Sequence, residues 1–85
     1  MLDTILQSEM SDSVRTIARI PQDVAISADS RLVEDLGIDS LDLVSIVLTA
    51  QETYGVAIDE DDVAELRTMA DLILYVERRR NAAAA

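Results

Sequence analysis

Apolar residues in the first twenty positions recur at steps of three and four, the spacing of one face of an α-helix. The residues with this spacing are Leu2, Ile5, Leu6, Met10, Val14, Ile17 and Ala18. Proline disfavours helical geometry in the residue before it, so the Ile20–Pro21 step should end this first helix.

Residues 21–39 show no sustained periodicity, which predicts a long loop. A loop of this length without its own structure is often functional. A short helical turn is expected around residues 32–36, and Gly37 suits a tight turn or a left-handed backbone conformation. The apolar residues of the loop should pin it to the core; these are Val24, Ile26, Leu32, Val33 and Leu36.

Helical patterning with start and stop signals resumes after the loop. The second helix should span about 40–54, with Asp39 as its N-cap, Asp42 in the capping-box position and Gly55 as its stop. A short third helix is expected over about 60–66, with Asp59 as its N-cap.

The fourth helix is expected over about 69–79, with Thr68 and Asp71 forming a second capping box. Arginines 78–80 would then complement the negative end of its dipole. No alternating pattern predicts a strand. We therefore expect an all-α fold, a small four-helix bundle of three longer helices and one short third helix. Residues 1–80 should form one domain, followed by a frayed tail over 81–85.

The composition argues against an enzyme. The chain has 85 residues, 49% of them hydrophobic, which suits one small domain with an aliphatic core. It contains no cysteine, no histidine and no lysine, so the usual thiol and amine nucleophiles, general base and metal ligands are missing. We expect no catalytic residue and no metal site.

The formal charge of −10 lies entirely in the middle of the chain. Residues 34–65 hold ten acids and no basic residue, while the other seven acids are balanced by seven arginines. Such a field repels nucleic acid and anionic lipid and attracts basic partner surfaces. The first residues lack a basic segment of the secretory type, and no apolar run is long enough to span a membrane. We expect a cytoplasmic monomer that neither inserts into membranes nor binds nucleic acid.

Ser40 is the candidate for chemistry because it would stand at the exposed start of the second helix. The free N–H groups and the dipole at a helix N-terminus favour a phosphate there. Without a histidine or lysine, its hydroxyl has no usual base to activate it, which suits modification by another enzyme better than attack on a substrate. Taken alone, a serine at this position is more often a simple helix cap.

Ser40 lies in the run LGIDSLD at residues 36–42, which overlaps the run VEDLG at 33–37. These residues resemble the phosphopantetheine attachment motif of acyl carrier proteins. The similarity continues through the third and fourth helices and covers about residues 32–79, whereas the first helix matches in character only.

This resemblance implies a helical bundle whose Ser40 receives 4′-phosphopantetheine from coenzyme A. A separate, magnesium-dependent phosphopantetheinyl transferase would attach it, and its terminal thiol would carry acyl groups as thioesters in fatty-acid or specialised lipid synthesis. In the family the acyl chain can fold back between the helices, although each residue concerned could equally be plain core. The corresponding positions here are Leu32, Val44, Val47, Leu48, Ile58, Val63, Leu66, Leu72 and Tyr75.

The resemblance also implies docking of acyl-transferring or synthase enzymes through basic surfaces. The candidates for this contact are Asp39, Leu41, Asp42, Leu43, Ile46, Glu52, Glu60 and Asp61. For any one acid, a solvated surface charge is the competing interpretation.

The second helix departs from the family pattern in its charge. Members used in bulk fatty-acid synthesis usually carry glutamate at the position of Ser45 and more acids near Gln51 and Thr53. We therefore expect Leu43 and Ile46 on or near the outer side, and a specialised carrier whose docking depends more on apolar contact.

Two alternatives stay open at the level of sequence, and the pattern of a third fails. The chain could carry aminoacyl, peptidyl or polyketide cargo instead, or act as an unmodified acidic adaptor in which Ser40 only caps a helix. A calcium loop starting at Asp59 fits poorly, because its sixth and twelfth positions are Ala64 and Ala70 rather than glycine and glutamate.

Overall fold

A computed structural model describes the backbone of residues 4–84 and the side chains of residues 4–82. Within that range it contains no strand and four helices, which confirms the predicted all-α class. The helices are α1 (Thr4–Ile17), α2 (Ser40–Tyr54), α3 (Glu60–Val63) and α4 (Met69–Ala84). The predicted core position Leu2 lies outside the described residues. No helix among the described residues is both long and apolar enough to cross a membrane.

The core is formed by α1, α2 and α4, which pack against one another in all three pairs. It is aliphatic, as the shortage of aromatic residues predicts. Its fully buried side chains are Leu6, Met10, Leu32, Ile38, Ile46, Met69, Leu72, Ile73, Val14 and Val76. The α2 face that packs inward contains Ile46, which is only 1% exposed. The prediction that Ile46 lies on the outer side was wrong, because this residue belongs to the face that α2 turns towards the other helices.

The first helix ends before the Ile20–Pro21 step. Arg19 adopts a left-handed conformation with φ of 55°, and the Ile20 N–H donates to the Arg15 carbonyl at 3.0 Å. This is the hydrogen bond of a Schellman-type helix end. The Arg15 side chain then donates to the carbonyls of Pro21 and Val24, which ties the start of the loop to α1.

The long loop is fastened to the beginning of α4 by backbone hydrogen bonds. The Leu32 N–H donates to the Arg67 carbonyl at 2.8 Å, and the Met69 N–H donates to the Ser30 carbonyl at 3.0 Å. Turns cover 32–36, where a short helical turn is expected, and the Asp35 and Gly37 N–H groups each donate to the carbonyl four residues back at 3.0 Å, as in a turn of α-helix. Within them Leu32 is buried and its neighbour Val33 is 62% exposed, so Val33 does not pin the loop to the core as expected.

Two helix ends differ from the predictions. α3 ends at Val63 instead of near residue 66, because the Glu65 and Leu66 N–H groups bond three residues back and continue the chain as a tight turn. α4 runs through Ala84 instead of stopping at 79, in keeping with the high helix propensity of its alanines. The arginines at 78–80 therefore lie before the last turn. Ala85 lies outside the described residues, and the division into a domain at 1–80 and a frayed tail stays a prediction.

Leu72 tests the importance of the three-helix core, since its side chain is fully buried. Replacing it with alanine should lower the free energy of unfolding by about 2–5 kcal/mol, because methyl groups are lost and a cavity remains. Leu41→Ala is the matched control, because Leu41 is 79% exposed; its effect should stay within about 0.5 kcal/mol. Urea denaturation measures both values, and equal losses in the two variants would contradict this description of the core.

Candidate functional site

Three consecutive residues place Ser40 at the surface. Gly37 has φ of 65°, a left-handed conformation that turns the chain, as predicted. Ile38 is buried, and its N–H donates to the Leu32 carbonyl at 3.0 Å. Asp39 is extended, and its Oδ1 accepts the Asp42 N–H at 2.8 Å, which confirms it as the N-cap of α2. Ser40 follows as the exposed first residue of the helix.

The amide groups beside Ser40 suit a phosphate ester. The N–H groups of Ser40 and Leu41 donate to no acceptor among the residues that the structure describes. They point out of the positive end of a 15-residue helix. The Asp39 carboxylate adds negative charge nearby, but it is bonded to the helix through its capping contact. The exposed hydroxyl and the free N–H groups therefore fit a serine that receives a phosphate ester from another enzyme.

Two adjoining grooves, both lined mainly by apolar side chains, lie along α2 and α3. The first, called here the Ser40 groove, has a volume of about 360 Å³. The second, called the distal groove, has a volume of about 350 Å³. The Ser40 groove is lined by Leu32, Val33, Ile38, Asp39, Ser40, Leu43, Val44, Glu60, Val63, Ala64 and Leu66. The distal groove is lined by Val44, Val47, Leu48, Gln51, Ile58, Glu60 and Val63.

The structure brings seven of the nine predicted cavity residues to these grooves. Val44 and Val63 line both of them. The other five are Leu32 and Leu66 in the Ser40 groove and Val47, Leu48 and Ile58 in the distal groove.

Leu72 and Tyr75 lie elsewhere, so their placement in a groove wall was wrong. Leu72 is fully buried in the core. The Tyr75 hydroxyl donates to Asp62 Oδ2 at 2.6 Å, in a separate polar depression between α3 and α4. The fourth-helix pattern marks both residues as inward-facing, but it does not show which neighbour each one meets.

Most of the predicted docking residues are exposed, and Asp39, Leu43 and Glu60 also line the Ser40 groove. Asp39, Leu41, Glu52, Glu60 and Asp61 are exposed. Asp42 is partly exposed, and Leu43 is half-buried against the core. Ile46 is excluded by its burial.

Sequence reasoning did not predict that three further apolar side chains are exposed. Val33, Val44 and Leu48 are all more than half exposed. Leu41, Val44 and Leu48 follow helical spacing, which would have revealed the exposed stripe had the inward face of α2 been assigned first.

Two of the ten acids in the central segment are neutralised by arginines from outside it. Arg79 lies 3.0 Å from Asp62, and Arg31 lies 3.2 Å from Asp35. The Arg31 backbone N–H, followed by its guanidinium, lowers the pKa of Asp35. The remaining acids make no ion pair among the described residues and maintain the negative field.

Comparisons with known proteins identify the family. A family model described as the phosphopantetheine attachment site matches residues 8–76. An acyl carrier protein of Chlamydia trachomatis serovar D is 44% identical over 61 residues, which is 72% of this chain and 77% of that protein. The chain therefore belongs to the phosphopantetheine-binding family of acyl carrier proteins.

Solved structures agree on the fold. The acyl carrier protein of Thermotoga maritima has a TM-score of 0.75 at 19% identity, covering 94% of this chain and 96% of that one. A hexanoyl acyl carrier protein from the actinorhodin polyketide synthase of Streptomyces coelicolor has a TM-score of 0.69 at 25% identity, covering 100% of this chain and 96% of that one.

Membership of this family defines the role of the molecule. Acyl carrier proteins have no catalytic activity of their own, and they carry acyl groups on a covalently attached 4′-phosphopantetheine. That group supplies the thiol that this chain, with no cysteine, cannot provide. Acyl carrier proteins in general interact with synthase and transferase enzymes.

Asp39→Ala tests the cap that presents Ser40. Losing the acceptor for the Asp42 N–H should lower the free energy of unfolding by about 1 kcal/mol. Asp39→Asn keeps an acceptor oxygen, so it should cost only a few tenths of that amount. Chemical denaturation of both variants measures the difference. If alanine and asparagine have the same effect, the capping bond does not stabilise α2.

The unpaired acids should make stability depend on ionic strength. Like charges concentrated on one segment repel each other, and added salt screens them. Raising sodium chloride, or adding magnesium, should therefore raise Tm in a thermal melt. A Tm that ignores both additions would show that the acids are locally compensated.

Proposed function

We propose that this carrier holds acyl intermediates as thioesters on a 4′-phosphopantetheine arm attached to Ser40. It presents them to enzymes of fatty-acid or specialised lipid synthesis. One observation carries the proposal: the exposed Ser40 hydroxyl stands at the N-terminus of α2 and also lines an apolar groove of about 360 Å³. An arm on this oxygen begins at the mouth of a groove that can shelter an aliphatic chain.

Other serines of the chain fit the arm less well. Ser30 is buried, and its Oγ accepts the Ser27 N–H at 2.9 Å. Ser45 is exposed on α2, but it lies in the second turn, where backbone N–H groups are already used within the helix. Ser40 alone among these three combines exposure with free helix-terminal N–H groups.

The lining of the grooves favours an aliphatic acyl cargo. Among the groove-lining residues only Asp39 and Glu60 carry a charge, and both are exposed acids. A hydrocarbon chain buries apolar surface there without having to pair a charge. An aminoacyl cargo, in contrast, would bring an ammonium group, for which these two exposed acids are the only charged partners in the lining.

A polyketide intermediate is the second candidate cargo. The observation in its favour is the structural similarity to the hexanoyl carrier of the actinorhodin polyketide synthase. The two cargo classes share the arm and the apolar chain, and they differ in the polarity of the carbons near the thioester.

The proposal includes docking through the surface beside Ser40. Partner enzymes, among them the phosphopantetheinyl transferase, would place basic groups against Asp39, Asp42, Glu60 and Asp61. Their apolar side chains would contact Leu41, with Leu43 contributing its exposed part. We place this exchange in the cytoplasm and assign it to the monomer.

The proposal is tested by intact-mass measurement after incubation with coenzyme A, magnesium and a broad-specificity phosphopantetheinyl transferase. The wild-type protein should gain the mass of one phosphopantetheine, and Ser40→Ala should gain none. Ser45→Ala is the matched control, because it removes an exposed serine from the same helix, and it should gain the arm. Modification of Ser40→Ala, or none on folded wild-type protein shown to lack the arm, would contradict the proposal.

A further inference from the structure

α3 lines both grooves but receives little support from the core. No Cα atom of its four residues comes within 8 Å of another helix. None of its side chains, all of which the structure describes, is buried. Nevertheless Glu60 and Val63 line both the Ser40 groove and the distal groove. Contacts other than helix packing must therefore hold α3 in position.

The chain on either side of α3 is fixed to the rest of the fold. Before the helix, the Ile58 N–H donates to Gln51 Oε1 of α2 at 3.0 Å. After it, the Arg67 carbonyl accepts the Leu32 N–H at 2.8 Å. These two hydrogen bonds anchor the segment before and after α3. The helix between them must be held in place by its side chains.

Side chains of α4 hold the helix itself, in a group that we call the clamp: Asp62, Tyr75 and Arg79. The Tyr75 hydroxyl donates to Asp62 Oδ2 at 2.6 Å, and Arg79 Nη2 donates to the same oxygen at 3.0 Å. The Tyr75 hydroxyl also accepts the Asp59 N–H at 3.3 Å. The Arg79 guanidinium lies 5.0 Å from the centre of the Tyr75 ring, within the range of a cation–π contact.

We propose that this clamp positions α3 as a movable wall of the grooves and thereby sets how well an attached acyl chain is sheltered. The link to the acyl chain rests on the proposed function, whereas the link to α3 does not. Asp62, Tyr75 and Arg79 touch neither groove, so they act through the position of Val63 and Glu60. They are positioning residues, separate from the groove lining and from the docking surface.

The strength of the clamp suits a wall that opens while the core stays folded. The short hydrogen bond from tyrosine to a carboxylate is charge-assisted. The ion pair, however, is partly exposed, with 44% of the Arg79 side chain and 39% of the Asp62 side chain open to solvent. Water screens such a pair, so its contribution is small. Local opening of α3 should therefore require much less free energy than unfolding of α1, α2 and α4.

Hydrogen exchange on the unmodified full chain tests the clamp directly. Tyr75→Phe removes only the hydroxyl, and the amides of residues 59–66 should then exchange roughly three- to tenfold faster. Asp62→Asn should act in the same direction. Amides of α1 and of the core-facing part of α2 should keep their wild-type rates. Unchanged exchange at 59–66, or an equal increase throughout the chain, would overturn the proposal.

The matched control uses two neighbouring arginines of α4. Arg79→Gln should speed exchange at 59–66, and Arg79→Lys should restore part of the protection by keeping a cation near Asp62. Arg78→Gln makes the same change of charge one residue earlier, and the Arg78 side chain makes no hydrogen bond or ion pair with the described residues. Equal effects of Arg78→Gln and Arg79→Gln would show a general charge effect and overturn the clamp.

A second measurement tests the link to the acyl chain. The phosphopantetheinyl transferase, with magnesium, transfers octanoyl-phosphopantetheine from octanoyl-coenzyme A to Ser40 and releases adenosine 3′,5′-bisphosphate. Dilute hydroxylamine then cleaves the thioester to octanoyl hydroxamate and the free thiol. Cleavage should be several-fold faster in Tyr75→Phe than in the wild type. Faster exchange at 59–66 with unchanged cleavage would overturn the claim of sheltering. If the wild-type protein does not accept the arm, the proposed function is contradicted instead. The amide exchange rates at 59–66 would still test the clamp.

Discussion

The burial of Ile38 is the constraint on which the presentation of Ser40 depends. Its side chain fills part of the core, and its N–H is bonded to the Leu32 carbonyl in the loop. The chain reaches this anchor through the left-handed turn at Gly37 and leaves it through the cap at Asp39. Ser40 follows the buried Ile38 by two residues and exposes its hydroxyl at the start of α2. The backbone conformations of Gly37, Ile38 and Asp39 therefore connect the core to the site.

Local signals in the sequence predicted most of this segment. Gly37, Asp39 and Gly55 each have a backbone or capping role that depends on their own chemistry, so these positions could be assigned before the fold was known. The spacing of α1 correctly placed Leu6, Met10 and Val14 in the core, but Ile5, which was assigned to the same face, is 73% exposed. The motif at residues 36–42 then pointed to the family, which the match over residues 8–76 established.

Predictions that depended on which neighbour a side chain meets were less accurate. Ile46 and Leu48 are both apolar residues of α2, but the first is buried in the core and the second is exposed beside the distal groove. Tyr75 belongs to a polar contact with Asp62 instead of an apolar wall. Whether these side chains are buried or exposed depends on how the three helices are rotated relative to one another. The apolar pattern of a single helix does not give that rotation.

Stability is unevenly distributed in a way that suits a carrier. α1, α2 and α4 share a continuous aliphatic core, whereas α3 is held by polar contacts and by the ends of its own segment. The proposed function needs a fixed point of attachment, and our inference about α3 adds a groove wall that can yield. The fixed part is supplied by apolar burial, and the yielding part by partly exposed hydrogen bonds that water can replace at low cost.

The central claim is that the phosphopantetheine arm hangs from Ser40 at the start of α2. A two-dimensional correlation spectrum between phosphorus and protons of the loaded protein tests it at the level of the bond. The account predicts that the phosphodiester signal couples to the β-protons of Ser40, with the largest amide shifts at Ser40 and Leu41. Coupling to the β-protons of another serine, such as Ser45, would contradict it.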